Sequence, residues 1–127
     1  MSPTVVSEVH EGATKKGDVR NSASLAAILA VKKTPLSLPH CHPIPIEGCN
    51  VEWQEVENGL KCVVTVSTTS KTGVEMEALC GVSTALLCAW DMLKPILKDS
   101  SGQYPDTKIS DITAVSYTHL TLPTIAV

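Results

Sequence analysis

Phenylalanine is absent from this 127-residue chain and aromatic residues make up only 3% of it, so the interior must be built from Val, Ile, Leu, Ala and Cys. Such a core is thin beside a hydrophobic content of 43%, and part of the apolar surface is therefore expected to be buried against other subunits. No C-x-x-C pair occurs among the five cysteines at 41, 49, 62, 80 and 88, and their number is odd. A disulfide framework and a zinc ribbon are both disfavoured, and a reducing, cytoplasmic compartment fits best. Positive charge is not in excess either: the formal net charge is −3, which argues against nucleic-acid binding driven by overall charge. The N-terminus has no basic start followed by an apolar run, so it does not read as a secretory signal. The unbroken apolar run from Ala78 to Trp90 is too short to span a bilayer, and no membrane helix is expected.

What is present fits one domain, since the length suits a single core and is too short for two. Ser2-Pro3 reads as a cap followed by Pro at the first helical position, and Val5, Val6 and Val9 predict a helix over Thr4–Glu11. After a loop at Lys15 to Asp18, Asn21 or Ser22 is expected to cap a second helix running through Leu25, Ala26, Ile28 and Leu29 until Thr34-Pro35 ends it. Three prolines between Leu38 and Pro45 forbid helix and predict a rigid extended loop. Cys49, Val51 and Trp53 alternate with polar residues, Glu57-Asn58-Gly59 supplies a turn, and Leu60, Cys62, Val64 and Val66 alternate again, which is a β-hairpin. From Val74 to about Lys94 the positions Val74, Ala78, Val82, Ala85, Leu86, Ala89 and Leu93 trace a helical stripe, with Leu79, Leu87 and Trp90 extending it around the cylinder. A last strand is expected over Lys108–Val115, with Ile109, Ile112 and Val115 facing inward. The order helix, helix, hairpin, long helix, strand lacks only an opening strand of a β-α-β-β-α-β ferredoxin-like α+β fold, an antiparallel sheet with helices on one face. Residues 1–115 are taken as the domain, N-terminally truncated. Residues 116–127, uncharged apart from a histidine and rich in Thr and Leu, read as an appended non-native tail.

Several residues could carry chemistry. His40-Cys41-His42 invites a zinc reading, but adjacent side chains of an extended segment point to opposite faces and no second ligand pair is evident. The commoner outcome is an exposed, Pro-stiffened turn; the functional one is that the prolines hold Cys41 and His42 in place for a polar ligand. Ser70-Lys71-Thr72-Gly73 leads into the long helix, whose first turn carries Glu75 and Glu77. Acidic residues there suit the helix dipole, which suffices for Glu75, whereas Glu77 precedes an apolar stretch and is expected to be partly buried in a recognition or acid–base role. Asp91 and Lys94 lie on one helix face, either an ordinary surface ion pair or a carboxylate tuning a lysine for proton transfer. Lys15, Lys16, Arg20, Lys32 and Lys33 form a basic cluster whose usual fate is a solvated face. Glu77 and Asp91 stand ~21 Å apart along one helix, so a site using both must be shared between subunits.

Read together, Lys16-Gly17-Asp18-Val19, Leu38-Pro39-His40-Cys41-His42-Pro43, Gly73-Val74-Glu75-Met76-Glu77-Ala78-Leu79 and Asp91-Met92-Leu93-Lys94 resemble the MoaC family, in order and at similar spacing. The resemblance covers roughly Thr4 to Val115. It implies a ferredoxin-like subunit assembled from dimers into a homohexamer. It also implies a lyase activity in molybdenum cofactor biosynthesis, cyclic pyranopterin monophosphate synthase, which converts 3′,8-cyclo-7,8-dihydro-GTP to cyclic pyranopterin monophosphate and releases pyrophosphate. By motif match, Asp91 and Lys94 fall on catalytic positions, Lys16 on that of a catalytic or phosphate-contacting lysine, and Cys41, His42, Met76 and Glu77 on substrate contacts; His40 and Glu75, beside them, are counted in the substrate-binding set. No metal and no organic cofactor is implied. The family's opening segment, with its first strand, has no counterpart before Ser2, the place of a further lysine that the family usually carries just after the last strand falls near Tyr117, where this chain has none, and His40 stands where the family more often has Leu. A different class of reading, a non-catalytic ferredoxin-like ligand-binding or assembly module, is disfavoured by the presence of Lys16, Asp91 and Lys94 together. Metal-dependent hydrolysis would need a convergent His, Cys and carboxylate set.

Overall fold

The computed structural model describes residues 1–11, 16–70, 72–115 and 124–126, so Lys15, Lys71 and the tail from Ser116 to Pro123 lie outside the described residues. Helix α1 spans Pro3–Glu11. Its start is as expected: Ser2 Oγ accepts from Val5 N at 3.3 Å and Ser2 O from Val6 N at 3.1 Å, while Val5, Val6 and Val9 are buried.

Helix α2, Val19–Lys32, begins earlier than the sequence suggests because Asp18, not Asn21 or Ser22, is its cap, accepting from Asn21 N at 3.2 Å. Its buried face is not the one that carries its leucines. Val19, Ala23, Ala27 and Val31 point inward, whereas Leu25 and Leu29 are exposed. The reason lies in its partner α4, Glu75–Leu97, which comes so close that a Cβ on Gly81 would stand 2.6 Å from Val31 Cγ2 and 3.4 Å from the Ala27 carbonyl. The seam is filled by alanines and β-branched valines, with no room for a leucine at Ala27. Thr34-Pro35 ends α2 as expected but also opens a one-turn helix, α3, Thr34–Ser37, because proline is tolerated in a first turn. The buried Thr34 hydroxyl donates to Ala30 O and Val31 O, both at 3.0 Å, and fixes this corner.

The hairpin is as read from its alternation: β1, Gly48–Val56, pairs antiparallel with β2, Gly59–Ser67, and Val56 faces Gly59 across Glu57-Asn58. Asn58 takes the left-handed conformation at φ 56° that such a turn asks of one residue. Cys62, Val64 and Val66 form the inward face of β2, and α2 and α4 cover the sheet there. Trp53 ties β1 to α2 by donating from Nε1 to Ser24 Oγ at 2.9 Å.

The expected last strand is reduced to β3, Ala114–Val115. Ile112 and Val115 are exposed rather than inward: Asp111 turns the chain with φ 58°, so Ile112 lies outside the strand that remains. A further strand, β4, Thr124–Ala126, completes a sheet of order β1-β2-β4-β3 and pairs antiparallel with both neighbours. The helices and this antiparallel sheet make an α+β, ferredoxin-like arrangement. No strand precedes α1 among the described residues, and the place beside β2 that a β-α-β-β-α-β sheet assigns to its opening strand is held by β4.

By length and composition α4 is long and apolar enough to cross a membrane, which the run-length argument missed. In this structure it is the central core helix. Ala78, Gly81, Val82, Ala85, Ala89 and Leu93 are buried against α2 and the sheet, while Leu87 remains exposed.

Candidate active site

Two groups of polar side chains sit at opposite ends of α4. At its N-terminal end a cavity of about 560 Å³ opens between the Leu38–Ile44 loop and the first turn of the helix. The loop is placed by the α2–α3 corner and by two main-chain bonds of 2.9 Å, Leu38 N to Thr34 O and Cys41 N to Leu38 O. It lines the cavity with His40, Cys41 and His42, and α4 contributes Glu75, Met76 and Glu77. All six residues assigned to substrate binding thus border one space. Ile44 and Thr72 border it too. Nothing in the sequence marked Ile44 as more than a loop residue, and Thr72 lay only within the quoted glycine-containing loop.

Glu77 is the distinctive member of this group. It is only 2% exposed, the sole buried carboxylate among the described residues. The Cys41 thiol donates to its Oε2 at 3.5 Å, an ordinary distance for sulfur. Desolvation holds the Cys41 thiol above its ordinary range, and the hydrogen bond to Glu77 and that residue's charge push it further. Cys41 is therefore a donor and not a thiolate nucleophile at neutral pH. Contrary to the alternation expected of the loop, Cys41 and both histidines border the same cavity, and the histidines are exposed. Among the described residues no three His, Cys, Asp or Glu side chains gather to hold a metal ion. The Glu75 carboxylate lies against Gly73, where a Cβ would displace it.

The second group lies near the C-terminal end of α4. Lys94 Nζ meets Asp91 Oδ1 at 2.9 Å, and Lys16 Nζ approaches the Asp91 main-chain carbonyl at 3.5 Å. Lys16 reaches it because Gly17, at φ 95°, turns the chain immediately before Asp18 caps α2. Of the basic cluster read in the sequence, Lys16 joins this group. The Lys94 hydrogen bond and charge, and then the Lys16 charge, hold the Asp91 carboxyl below the usual carboxylate range. Lys94 is held above the ordinary lysine range by the same bond with Asp91. Of the two readings of this pair, the carboxylate does act on the lysine, by holding it in its protonated form.

One chain does not unite the two groups. Fourteen residues of helix, ~21 Å, separate Glu77 from Asp91. A second cavity of about 400 Å³, between the hairpin turn and the second half of α4, is bordered by Trp53, Trp90 and Leu93 and by none of the residues singled out for chemistry.

Comparison with known proteins bears on both groups. Residues 1–121 match the model of the MoaC family. The probable cyclic pyranopterin monophosphate synthase of Methanospirillum hungatei is 49% identical over 112 residues, 88% of this chain and 72% of the relative. That of Aeropyrum pernix is 52% identical over 107 residues, 84% and 73% of the two chains. The Thermococcus kodakarensis protein of the same description is 48% identical over 115 residues, 91% and 74%. With a family match over nearly all its length and relatives near half identity, the chain belongs to the MoaC family.

Proposed function

We propose that this chain is a cyclic pyranopterin monophosphate synthase of molybdenum cofactor biosynthesis, a lyase-type enzyme that converts 3′,8-cyclo-7,8-dihydro-GTP to cyclic pyranopterin monophosphate and releases pyrophosphate. The observation that carries this reading is the meeting of Lys16 and Lys94, far apart in sequence, on one residue, Asp91. Two ammonium groups at one point are countercharge for a triphosphate. Because Asp91 holds Lys94 protonated, Lys94 enters the reaction as a cation able to give a proton to the substrate before it takes one back. At the other end of α4, the Glu77 carboxylate with its Cys41 donor suits the N–H groups of a guanine-derived ring, flanked by His40, His42, Glu75 and Met76.

Both ends serve one substrate only if two subunits share it. Exposed Leu25 and Leu29 on α2 and Leu87 on α4 offer apolar surface for that contact, in dimers that assemble to a homohexamer. Five free cysteines fit a cytoplasmic setting. The test is incubation of the purified chain with the cyclised dihydro-GTP, following pyrophosphate by a coupled assay and pterin by fluorescence after oxidation. Equal amounts of both products are expected. Substrate binding without pyrophosphate release would instead identify a non-catalytic ligand-binding module.

A further inference from the structure

Asp91 offers one acceptor to each of two lysines, and the second acceptor is available because of residue 95. In a regular helix the carbonyl of residue i takes the N–H of residue i+4. For Asp91 that residue is Pro95, inside α4 and two positions before its end. Proline has no N–H, so the Asp91 oxygen is left without its i+4 donor in the helix ladder, and a proline ring crowds the carbonyl four residues earlier. The break is local. Lys98 N donates to Lys94 O at 3.1 Å, so the helical pattern resumes after the proline. The released oxygen is the one that the Lys16 ammonium approaches at 3.5 Å, while the Asp91 carboxylate engages Lys94 at 2.9 Å.

Packing does not account for a proline here. Pro95 is exposed, and proline inside a helix costs about 3 kcal/mol relative to alanine. We propose that Pro95 is a positioning residue for the active site: by withholding a helical donor from the Asp91 carbonyl it leaves that oxygen as the seat of the Lys16 ammonium. The two lysines then occupy different oxygens of one residue and do not compete for its carboxylate. Attraction between Lys16 and the Asp91 charge brings the side chain to this end of α4, but charge has little direction. The open carbonyl supplies the direction. The geometric part of this inference stands on the structure alone, and its catalytic consequence rests on the function proposed above.

Two replacements at position 95 separate the effect of the missing N–H from that of the ring. Pro95→Ala restores the donor, whereas lactic acid at position 95, introduced as an ester-linked residue, has an alanine side chain and no N–H. Three readouts are taken on each full chain: the NMR signal of ε-carbon-labelled Lys16, assigned by loss in Lys16→Arg; the melting temperature; and kcat for pyrophosphate release. Pro95→Ala is expected to move the Lys16 signal toward that of a free lysine, keep or raise the melting temperature, and lower kcat by about tenfold or more. The lactic acid form is expected to keep the parent Lys16 signal and kcat. A Lys16 signal unmoved by Pro95→Ala, or moved equally by both replacements, overturns the inference. Absence of turnover in the parent chain defeats the proposed function instead, and the Lys16 signal still decides the role of Pro95.

Discussion

Lysine 94 and Asp91 form a three-residue helix pair of a kind common on protein surfaces, where removal of one partner changes little. Their company sets them apart, because Lys16 adds a second cation at the same residue. Lys94→Ala is therefore expected to abolish pyranopterin formation while leaving the thermal melt close to that of the parent, since the side chain is 44% exposed and packs no core. Turnover at the parent rate would remove Lys94 from the mechanism. The titrations predict opposite limbs of a stability profile. Asp91 has its folded value below its unfolded one, so its contribution is present above the ordinary carboxylate range and is lost as pH falls through the folded value. Cys62 does the reverse: burial in the core pushes its thiol up from an ordinary 9.0 to about 12. Between those values the unfolded chain has lost a proton that the folded chain keeps, so stability should decline as pH rises from about 9 toward 12. Denaturant melts of the parent and of Cys62→Ala across that range would show it, with a flatter slope in the variant. Equal slopes would mean that the Cys62 thiol does not titrate differently on unfolding.

The seam between α2 and α4 is where elements are most tightly constrained. Alanine at position 81 would gain up to ~1 kcal/mol of helix propensity, yet its Cβ would stand 2.6 Å from a methyl of Val31, itself buried and β-branched, and 3.4 Å from the Ala27 carbonyl. Overpacking of this kind costs about 1–3 kcal/mol, so Gly81→Ala should lower the unfolding free energy in urea by about 1 kcal/mol or more. A variant as stable as the parent would mean that the two helices part easily. That seam also explains which elements were legible in the sequence. The hairpin and α4 were, because alternation in one and a long apolar stripe in the other admit a single period. The inward face of α2 was not: large leucines outrank alanines in any apolar count, but the nearness of α4 favours Ala23 and Ala27, flanked by Val19 and Val31, and leaves Leu25 and Leu29 outward. The last strand failed for a local reason, a left-handed Asp111 invisible to spacing. At the site, motif order located the two clusters' side chains, while the Asp91 carbonyl, a main-chain group freed by Pro95, leaves no mark in a reading of side-chain types.

At the scale of the whole molecule the question is how two half-sites on one rigid helix act on one small substrate. Glu77 and Asp91 are separated by ~21 Å of α4, which no side-chain motion closes and which exceeds the span over which one reacting centre can be touched twice. In the proposed two-fold dimer, with the two α4 helices antiparallel, the start of one would approach the end of its partner, and the exposed Leu25, Leu29 and Leu87 supply apolar surface that such a contact removes from water. On that proposal each composite site takes Glu77 from one subunit and Asp91 from the other. Glu77→Ala and Asp91→Ala subunits, each inactive alone, should therefore regain activity when dissociated together and reassembled, because a mixed dimer carries one doubly damaged site and one intact site. For random pairing, half the dimers are mixed and half of their sites are whole, so recovery should approach about one quarter of the parent activity. Native mass spectrometry counts the mixed species in the same sample. Mixed oligomers that form yet stay as inactive as either parent would show that each site belongs to one subunit, and Glu77 would then be a helix N-terminal residue serving structure through its bond to Cys41.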